Sequence, residues 1–101
     1  MKTALAHRLP SEEEVARFCR RHHIRRLALF GSVLRGDFRA DSDIDVLVEF
    51  EPGHTPGFGF FDVQEELSGL LGRTVDLNTA AFLSPRIRRT VESEAEVIFG
   101  A

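Results

Sequence analysis

The sequence has one cysteine and neither tryptophan nor tyrosine among its 101 residues. Because Cys19 is alone, an internal disulfide framework is excluded, and we expect a reducing compartment, the cytoplasm. No apolar run approaches the ~18 residues that a membrane span requires. Residues 1–9 also lack the apolar segment of a secretory signal peptide, so we expect no membrane association and no secretion.

A long basic tract is missing as well, although the charge is unevenly distributed. Residues 1–40 carry nine Lys or Arg side chains against four acids, and residues 41–101 carry four against twelve. A basic front half can meet phosphates, nucleic acid or an acidic partner. Because non-specific binding to DNA depends on many clustered cations, we expect no direct nucleic-acid binding.

Apolar periodicity and breaker residues predict eight alternating elements. Ser11 and Glu14 form a capping box for the first helix, Gly72 ends the third helix, and Ser84-Pro85 begins the fourth. The order α-β-α-β-α-β-α-β predicts an α/β (α+β) fold, a small mixed sheet of about four strands with helices packed on it, in one domain over 1–101. The predicted strands span 24–30, 43–50, 73–78 and 96–99, and a polar loop spans 36–42.

Three histidines lie near the predicted ends of elements. His22 and His23 close the first helix, and because adjacent residues on a helix diverge, they make a poor joint metal site. His54 lies in the stretch 51–59, which is dense in proline and glycine and is typical of a surface loop. We expect this imidazole to be solvated.

The most informative stretch places Asp43 and Asp45 in an apolar run. A strand alternates its side chains with a period of two, so both carboxylates emerge on one face while Ile44 points the other way. Two like charges this close repel each other and raise one pKa unless a cation lies between them. The pair therefore predicts a divalent metal site.

Two chemistries that use paired carboxylates do not fit. The stretch from Asp41 begins like an EF-hand loop, but Val46 stands where glycine is required and Pro52 stands where a bidentate Glu belongs. A glycosidase needs carboxyl groups ~5 Å or more apart and a sugar cleft with aromatic platforms. The absence of Trp and Tyr argues against such a cleft.

Phosphoryl or nucleotidyl transfer fits the residues better. Mg²⁺ takes carboxylate oxygens and substrate phosphates, and two such ions can activate a hydroxyl and stabilise the leaving oxygen. Asp76, between two apolar residues of the third predicted strand, supplies a third carboxylate. Gly31 lets the backbone approach a triphosphate, Ser32 offers a hydroxyl and an N–H near a helix start, and Arg35 follows one turn later. The Gly-Ser turn matches neither a Walker A loop nor a nucleophile elbow.

The order of these motifs resembles a known signature. Gly31-Ser32 followed by Asp43-Ile44-Asp45 resembles the DNA polymerase β-type nucleotidyltransferase superfamily. The longer strings GSVLRG at 31–36 and SDIDVLV at 42–48 resemble the minimal nucleotidyltransferases of that superfamily, and TVDL at 74–77 matches their third-carboxylate strand. The resemblance extends from the first helix to the last predicted strand and implies the nucleotidyltransferase fold.

The resemblance also implies roles for the acids. Asp43 and Asp45 are expected to ligate both of two Mg²⁺ ions. Asp76 is expected to bind the catalytic ion and to help deprotonate the acceptor hydroxyl.

Four further residues match the nucleotide-binding part of the motif. Gly31 and Ser32 are expected to hold the nucleoside triphosphate, and the expected substrate is ATP. Arg35 is expected to contact a phosphate, and Ser42 to support the nucleotide-binding loop.

A reaction and a partner follow from the same resemblance. In the minimal family, AMP is transferred from ATP to a hydroxyl, typically of a tyrosine, on a small helical HEPN ribonuclease toxin, and pyrophosphate leaves. The chain is then the antitoxin half of a HEPN/MNT toxin–antitoxin pair. The sequence contains no second domain to grip an acceptor, so we expect the partner protein to supply it.

Two alternatives stay open from the sequence. The chain could be a binding module that neutralises its partner by docking without catalysis. It could also transfer a nucleotide to a small molecule together with a partner subunit. The intact acids favour the enzyme.

Overall fold

A computed structural model describes residues 10–35 and 42–100, except for the side chains of Ser32, Arg35 and Phe82. Residues 1–9, where no signal segment is expected, and most of the loop predicted over 36–42 lie outside the described residues. The elements are helix α1 (Glu12–Arg21), strand β1 (Ile24–Phe30), helix α2 (Ser32–Arg35), strand β2 (Ile44–Phe50), helix α3 (Gly59–Leu71), strand β3 (Val75–Asn78), a 3₁₀ helix (Ala80–Phe82), helix α4 (Pro85–Glu94) and strand β4 (Glu96–Phe99).

Local signals define the start and the buried side of α1. The Ser11 hydroxyl accepts a hydrogen bond from the Glu14 N–H at 3.1 Å, and the Glu14 carboxylate accepts one from the Ser11 N–H at 3.0 Å. The predicted capping box is therefore confirmed. The apolar side of α1, formed by Val15, Phe18 and Cys19, is buried. Burial raises the pKa of the Cys19 thiol to about 12, which leaves this thiol protonated and unreactive in the fold.

The four strands form one mixed sheet in the order β3-β2-β1-β4. β1 is antiparallel to β2 and to β4, whereas β2 and β3 are parallel. A parallel pair needs a crossover connection, and α3 provides it between β2 and β3. The acid-bearing strand β2 is therefore internal, with a neighbour on each side, as its apolar run predicts.

The core lies between one face of the sheet and helices α1 and α3. The buried side chains of α3 are spaced as a helical stripe, and Gly72, with a φ of +72°, ends this helix as predicted. The inward side chains of β2 and β3 belong to the same cluster: Ile44, Val46, Val48, Val75 and Leu77. The opposite face of the sheet carries Asp45 and Glu49, and between them the buried Leu47, whose register partner Ala28 is also buried.

Two strand starts and one additional short element differ from the sequence prediction. β2 begins at Ile44 rather than at Asp43, and β3 begins at Val75 rather than at Arg73, because Ile44 and Val75 are the first partners of the parallel ladder. The 3₁₀ helix Ala80–Phe82 is not predicted from the sequence, since a three-residue segment of this kind carries no periodicity that could reveal it.

The helices of residues 10–35 and 42–100 are short. The longest, α3, has 13 residues, whereas a membrane span requires ~20. None of the helices in this part of the chain is long and apolar enough to cross a membrane.

Candidate active site

Two of the three acids of the predicted metal site, Asp45 and Asp76, are neighbours because β2 and β3 pair in parallel. The register places Asp45 opposite Asp76, between two pairs of apolar residues that are buried in the core. Register partners in a sheet point to the same face, so the two carboxylates emerge together on the face opposite the core. Because adjacent strands lie ~4.8 Å apart, one cation can reach both carboxylates.

Asp43 lies directly before β2 and is exposed. The Ile44 N–H donates a hydrogen bond to the Thr74 carbonyl oxygen at 2.9 Å, which ties the start of β2 to the residue before β3. The prediction that Asp43 belongs to the strand is therefore wrong by one residue. Its spacing of two residues from Asp45 still predicts that the two side chains share a face.

Gly31 follows β1 with a φ of +84°, a conformation that favours glycine. Phe30 and Asp45 are register partners across β1 and β2, so the residue after Phe30 lies beside the Asp45 side chain. A Cβ added at Gly31 would lie 3.1 Å from Asp45 Cγ and 3.3 Å from Asp45 Cβ, and it would collide with Asp45 Oδ2. The Asp45 side chain thus occupies the space that a side chain at position 31 would need.

The remaining predicted site residues flank this contact. α2 begins at Ser32 and ends at Arg35, and the Leu34 N–H donates to the Gly31 carbonyl oxygen at 3.0 Å. Ser42 is half-buried, two residues before β2. Because α2 contacts both β1 and β2, the predicted triphosphate-binding turn lies against the strand that carries Asp45. The individual roles of Ser32, Arg35 and Ser42 stay predictions.

A cleft of about 590 Å³ adjoins Asp76. Its walls come from the segment before α3, from α3 itself and from the segment after β3, and its apolar lining includes Phe60, Phe61 and Leu77. The sequence does not predict this cleft. The sequence signal that could have indicated it is Phe61, an aromatic residue off the apolar stripe of α3. In the structure its side chain is 64% exposed. An exposed aromatic side chain beside a carboxylate can contact a substrate.

Side chains of α3 position Asp76 on the edge strand β3. The Val75 N–H donates to Ser68 Oγ at 3.0 Å, and the Leu77 N–H donates to Gln64 Oε1 at 2.9 Å. An edge strand has outward N–H groups without a partner in the sheet, and here the two on either side of Asp76 are bound by α3. Sequence reasoning misses Gln64 and Ser68, because their partners are set by packing.

Glu49 shares the outward face of β2 with Asp45, but it is paired within the protein. Arg25 donates a hydrogen bond to its Oε1 at 2.6 Å, and Arg26 donates one to its Oε2 at 2.9 Å. The hydrogen bond from Arg25 holds the pKa of the Glu49 carboxyl below its usual value. Glu49 therefore joins β1 to β2, and we exclude it from the candidate site.

Comparison with known sequences matches most of this chain to one family. The sequence model of the nucleotidyltransferase domain matches residues 12–98. Protein adenylyltransferase MntA of Thermococcus cleftensis is 40% identical over 75 residues, which cover 73% of this chain and 74% of that protein.

Solved structures match the fold. A structure described as a candidate minimal nucleotidyltransferase has a TM-score of 0.70 at 44% identity and covers 83% of this chain and 85% of its own. A toxin–antitoxin complex with AMP-PNP has a TM-score of 0.72 at 21% identity, with coverage of 91% and 75%. The complex of a tri-AMPylated Shewanella oneidensis HEPN toxin with its MNT antitoxin has a TM-score of 0.64 at 21% identity, with coverage of 89% and 70%.

Proposed function

Because this chain belongs to the nucleotidyltransferase domain family, we propose that it transfers AMP from ATP to a hydroxyl of a partner protein and releases pyrophosphate. The observation that carries this proposal is the register of Asp45 with Asp76, with Gly31 packed against the Asp45 side chain. The Thermococcus relative is named a protein adenylyltransferase, which supports a protein as the acceptor.

In this proposal Asp43, Asp45 and Asp76 hold two Mg²⁺ ions. The donor set fits, because the three carboxylates offer only oxygen ligands and leave positions for water and substrate phosphates. When bound, the ions supply charge stabilisation for the attacking and leaving oxygens. The neighbouring acid Glu49 is already neutralised by two arginines, so it does not compete for them.

The turn at Gly31 and Ser32 holds the triphosphate, with Arg35 as a further phosphate contact and Ser42 as support of the nucleotide-binding loop. Since Gly31 lies against Asp45, phosphates bound at this turn lie next to the carboxylates. A solved complex of the same fold contains AMP-PNP, an analogue of ATP, which supports ATP as the donor.

Asp76 lies where the acceptor would enter, since it is both the register partner of Asp45 and part of the cleft lining. Its carboxylate can accept the proton of a hydroxyl and direct that oxygen toward the α-phosphate. The new O–P bond forms as the bond from the α-phosphorus to the pyrophosphate oxygen breaks, in line. The apolar cleft walls suit an aromatic ring, which supports tyrosine as the acceptor.

We place a HEPN-type toxin in the role of partner and this chain in the role of antitoxin. An MNT antitoxin of the same fold is bound to an AMPylated HEPN toxin in a solved complex, which supports this pairing. We treat 1–101 as a single nucleotidyltransferase domain, and in this proposal the partner supplies the acceptor hydroxyl. ATP as donor and the reduced, buried Cys19 favour the cytoplasm.

The direct test combines the purified chain, Mg²⁺, ATP labelled at the α-phosphate, and a HEPN-type protein encoded beside its gene. We expect label on the partner and a mass increase of one or more AMP groups, both abolished when EDTA removes the metal. Absence of label with each of the four nucleoside triphosphates would refute the transferase.

Replacing Asp76 with Asn is expected to retain nucleotide binding while lowering transfer by ~10²–10⁴-fold, the usual contribution of a general base. Calorimetry gives the nucleotide affinity, and the labelling assay gives the rate. Undiminished turnover in this variant would remove Asp76 from the site.

Phe61→Ala is expected to raise KM for the acceptor protein about tenfold, because an aromatic wall of the cleft is lost, while kcat and nucleotide affinity stay unchanged. Phe58→Ala is the matched control, since Phe58 is 94% exposed and does not line the cleft. An equal rise of KM in both variants would contradict the cleft as the acceptor site.

A further inference from the structure

Three side chains with metal-ligating groups meet at the end of β2 that is remote from Asp45. Ile24 pairs with Phe50, so His23, just before β1, and Glu51, just after β2, are neighbours. At ~3.3 Å per strand residue, Glu51 lies ~20 Å from Asp45. A site at this end is therefore separate from the candidate active site.

Backbone hydrogen bonds hold the three positions together. The Glu51 N–H donates to the His23 carbonyl oxygen at 2.8 Å, and the His54 N–H donates to the Glu51 carbonyl oxygen at 2.9 Å. The second bond closes a turn through Pro52 and Gly53, and the φ of +82° at Gly53 fits a type II turn. His23 has a φ of +57°, which is uncommon for a residue other than glycine.

The side chains of these residues converge in space. His23 Nδ1 lies 3.6 Å from Glu51 Oε1, and the rings of His23 and His54 stack with centroids 4.0 Å apart at 16°. One ligand atom of each residue lies within 4.8 Å of the other two, and all three residues are exposed. Ligand atoms around a tetrahedral ion with ~2.0 Å bonds are ~3.3 Å apart. Small side-chain rotations would therefore bring the three ligand atoms to this spacing.

We propose that His23, Glu51 and His54 bind a divalent transition-metal ion of the zinc class. Two imidazole nitrogens and a carboxylate oxygen are donors that zinc takes, whereas Mg²⁺ prefers oxygen ligands alone. Three protein ligands leave one position of a tetrahedral ion for water. The two ends of β2 thus offer donor sets of different chemical preference.

Binding requires one imidazole ring to turn. A metal ion lies in the plane of each imidazole that ligates it, and two parallel stacked rings cannot both meet this condition. His23 and His54 are exposed, and exposed side chains change rotamer within nanoseconds. The backbone that joins the three positions does not have to move.

The site links two parts of the fold. His54 is followed directly by Thr55, Pro56 and Gly57, which line the cleft beside Asp76. An ion shared by His23 and His54 would fasten this wall of the cleft to the junction of α1 and β1. Zinc is therefore expected to raise the unfolding temperature of the whole chain.

Calorimetric titration of Zn²⁺ into the full chain, with Mg²⁺ in excess, tests the site. The Asp43→Asn/Asp45→Asn background removes ligands of the other site. In that background we expect one zinc ion per chain, with affinity lowered at least ~10-fold by His54→Gln or by Glu51→Gln, since loss of a ligand costs no less than loss of a residue that orients one. His23→Asn is expected to behave alike, because Asn tolerates a positive φ.

His22→Gln is the matched control, because the His22 Nε2 lies 2.9 Å from Glu66 Oε1 and not in the trio. This variant is expected to bind zinc and to gain thermal stability from it like the unsubstituted chain. The proposal is overturned if His54→Gln and Glu51→Gln bind zinc undiminished, or if His22→Gln weakens binding as much as they do. The readout is binding, so the result does not depend on whether the chain transfers AMP.

Discussion

Replacing Asp45 with Asn is expected to lower AMP transfer by about three orders of magnitude or more while the chain stays folded. The amide removes a negatively charged ligand from both proposed Mg²⁺ ions. The charge stabilisation that such ions supply amounts to several kcal/mol, and about 1.4 kcal/mol corresponds to a tenfold change in rate. The comparison of kcat/KM with the thermal unfolding of the same variant measures this effect.

Asp62→Asn provides the control for this substitution. It makes the same chemical change at an exposed acid in the first turn of α3, at a position that does not line the cleft. We expect transfer to stay at the level of the unsubstituted chain. If Asp45→Asn were as active as Asp62→Asn, Asp45 would not be a metal ligand.

Substitutions at the same site distinguish neutralisation of the partner by AMP transfer from neutralisation by docking alone. The double variant Asp43→Asn/Asp45→Asn alters charge but little volume, so a surface that neutralises the partner by contact alone should still act. If the antitoxin role depends on transfer, this variant fails to neutralise the partner in cells. Full neutralisation without AMP on the partner would show that docking is sufficient.

Gly31→Ala is expected to have the second large effect, although it replaces no side chain that ligates a metal ion. The added Cβ needs the space of the Asp45 carboxylate at a φ of +84°, a conformation that costs a non-glycine residue ~1–2 kcal/mol. A ligand displaced by about 1 Å can cost ~10²-fold in rate. We expect transfer to fall at least that far and the free energy of unfolding to fall by about 1–3 kcal/mol.

Gly72→Ala distinguishes the two causes. Gly72 has a similar φ of +72°, but no atom lies within 4 Å of an added Cβ. The variant should therefore lose comparable stability in denaturant unfolding and retain transfer. Equal losses of transfer in the two variants would mean that Gly31 acts through its backbone conformation alone.

The helix ends named here could be predicted because their signals act over a few residues. The capping box of α1 and the Gly72 termination are confirmed, and so is the Ser84 cap of α4, whose hydroxyl accepts a hydrogen bond from the Ile87 N–H at 3.3 Å. Each involves groups at most a few positions apart, so local sequence is sufficient. The strand starts at Ile44 and Val75 were missed because pairing between distant segments sets them.

By itself, the sequence determined the alternating element order, the internal strand with its spaced acids, and the resemblance that led to the nucleotidyltransferase fold. Periodicity and motif spacing are properties of neighbouring residues, and they can be seen without coordinates. Only the tertiary structure decided that Asp45 lies opposite Asp76 and that the Asp45 side chain occupies the space beside Gly31. It also decided that the His23 ring stacks on the His54 ring. These contacts depend on strand register and on the packing of α3. Both are established by buried contacts between segments that are far apart in the sequence.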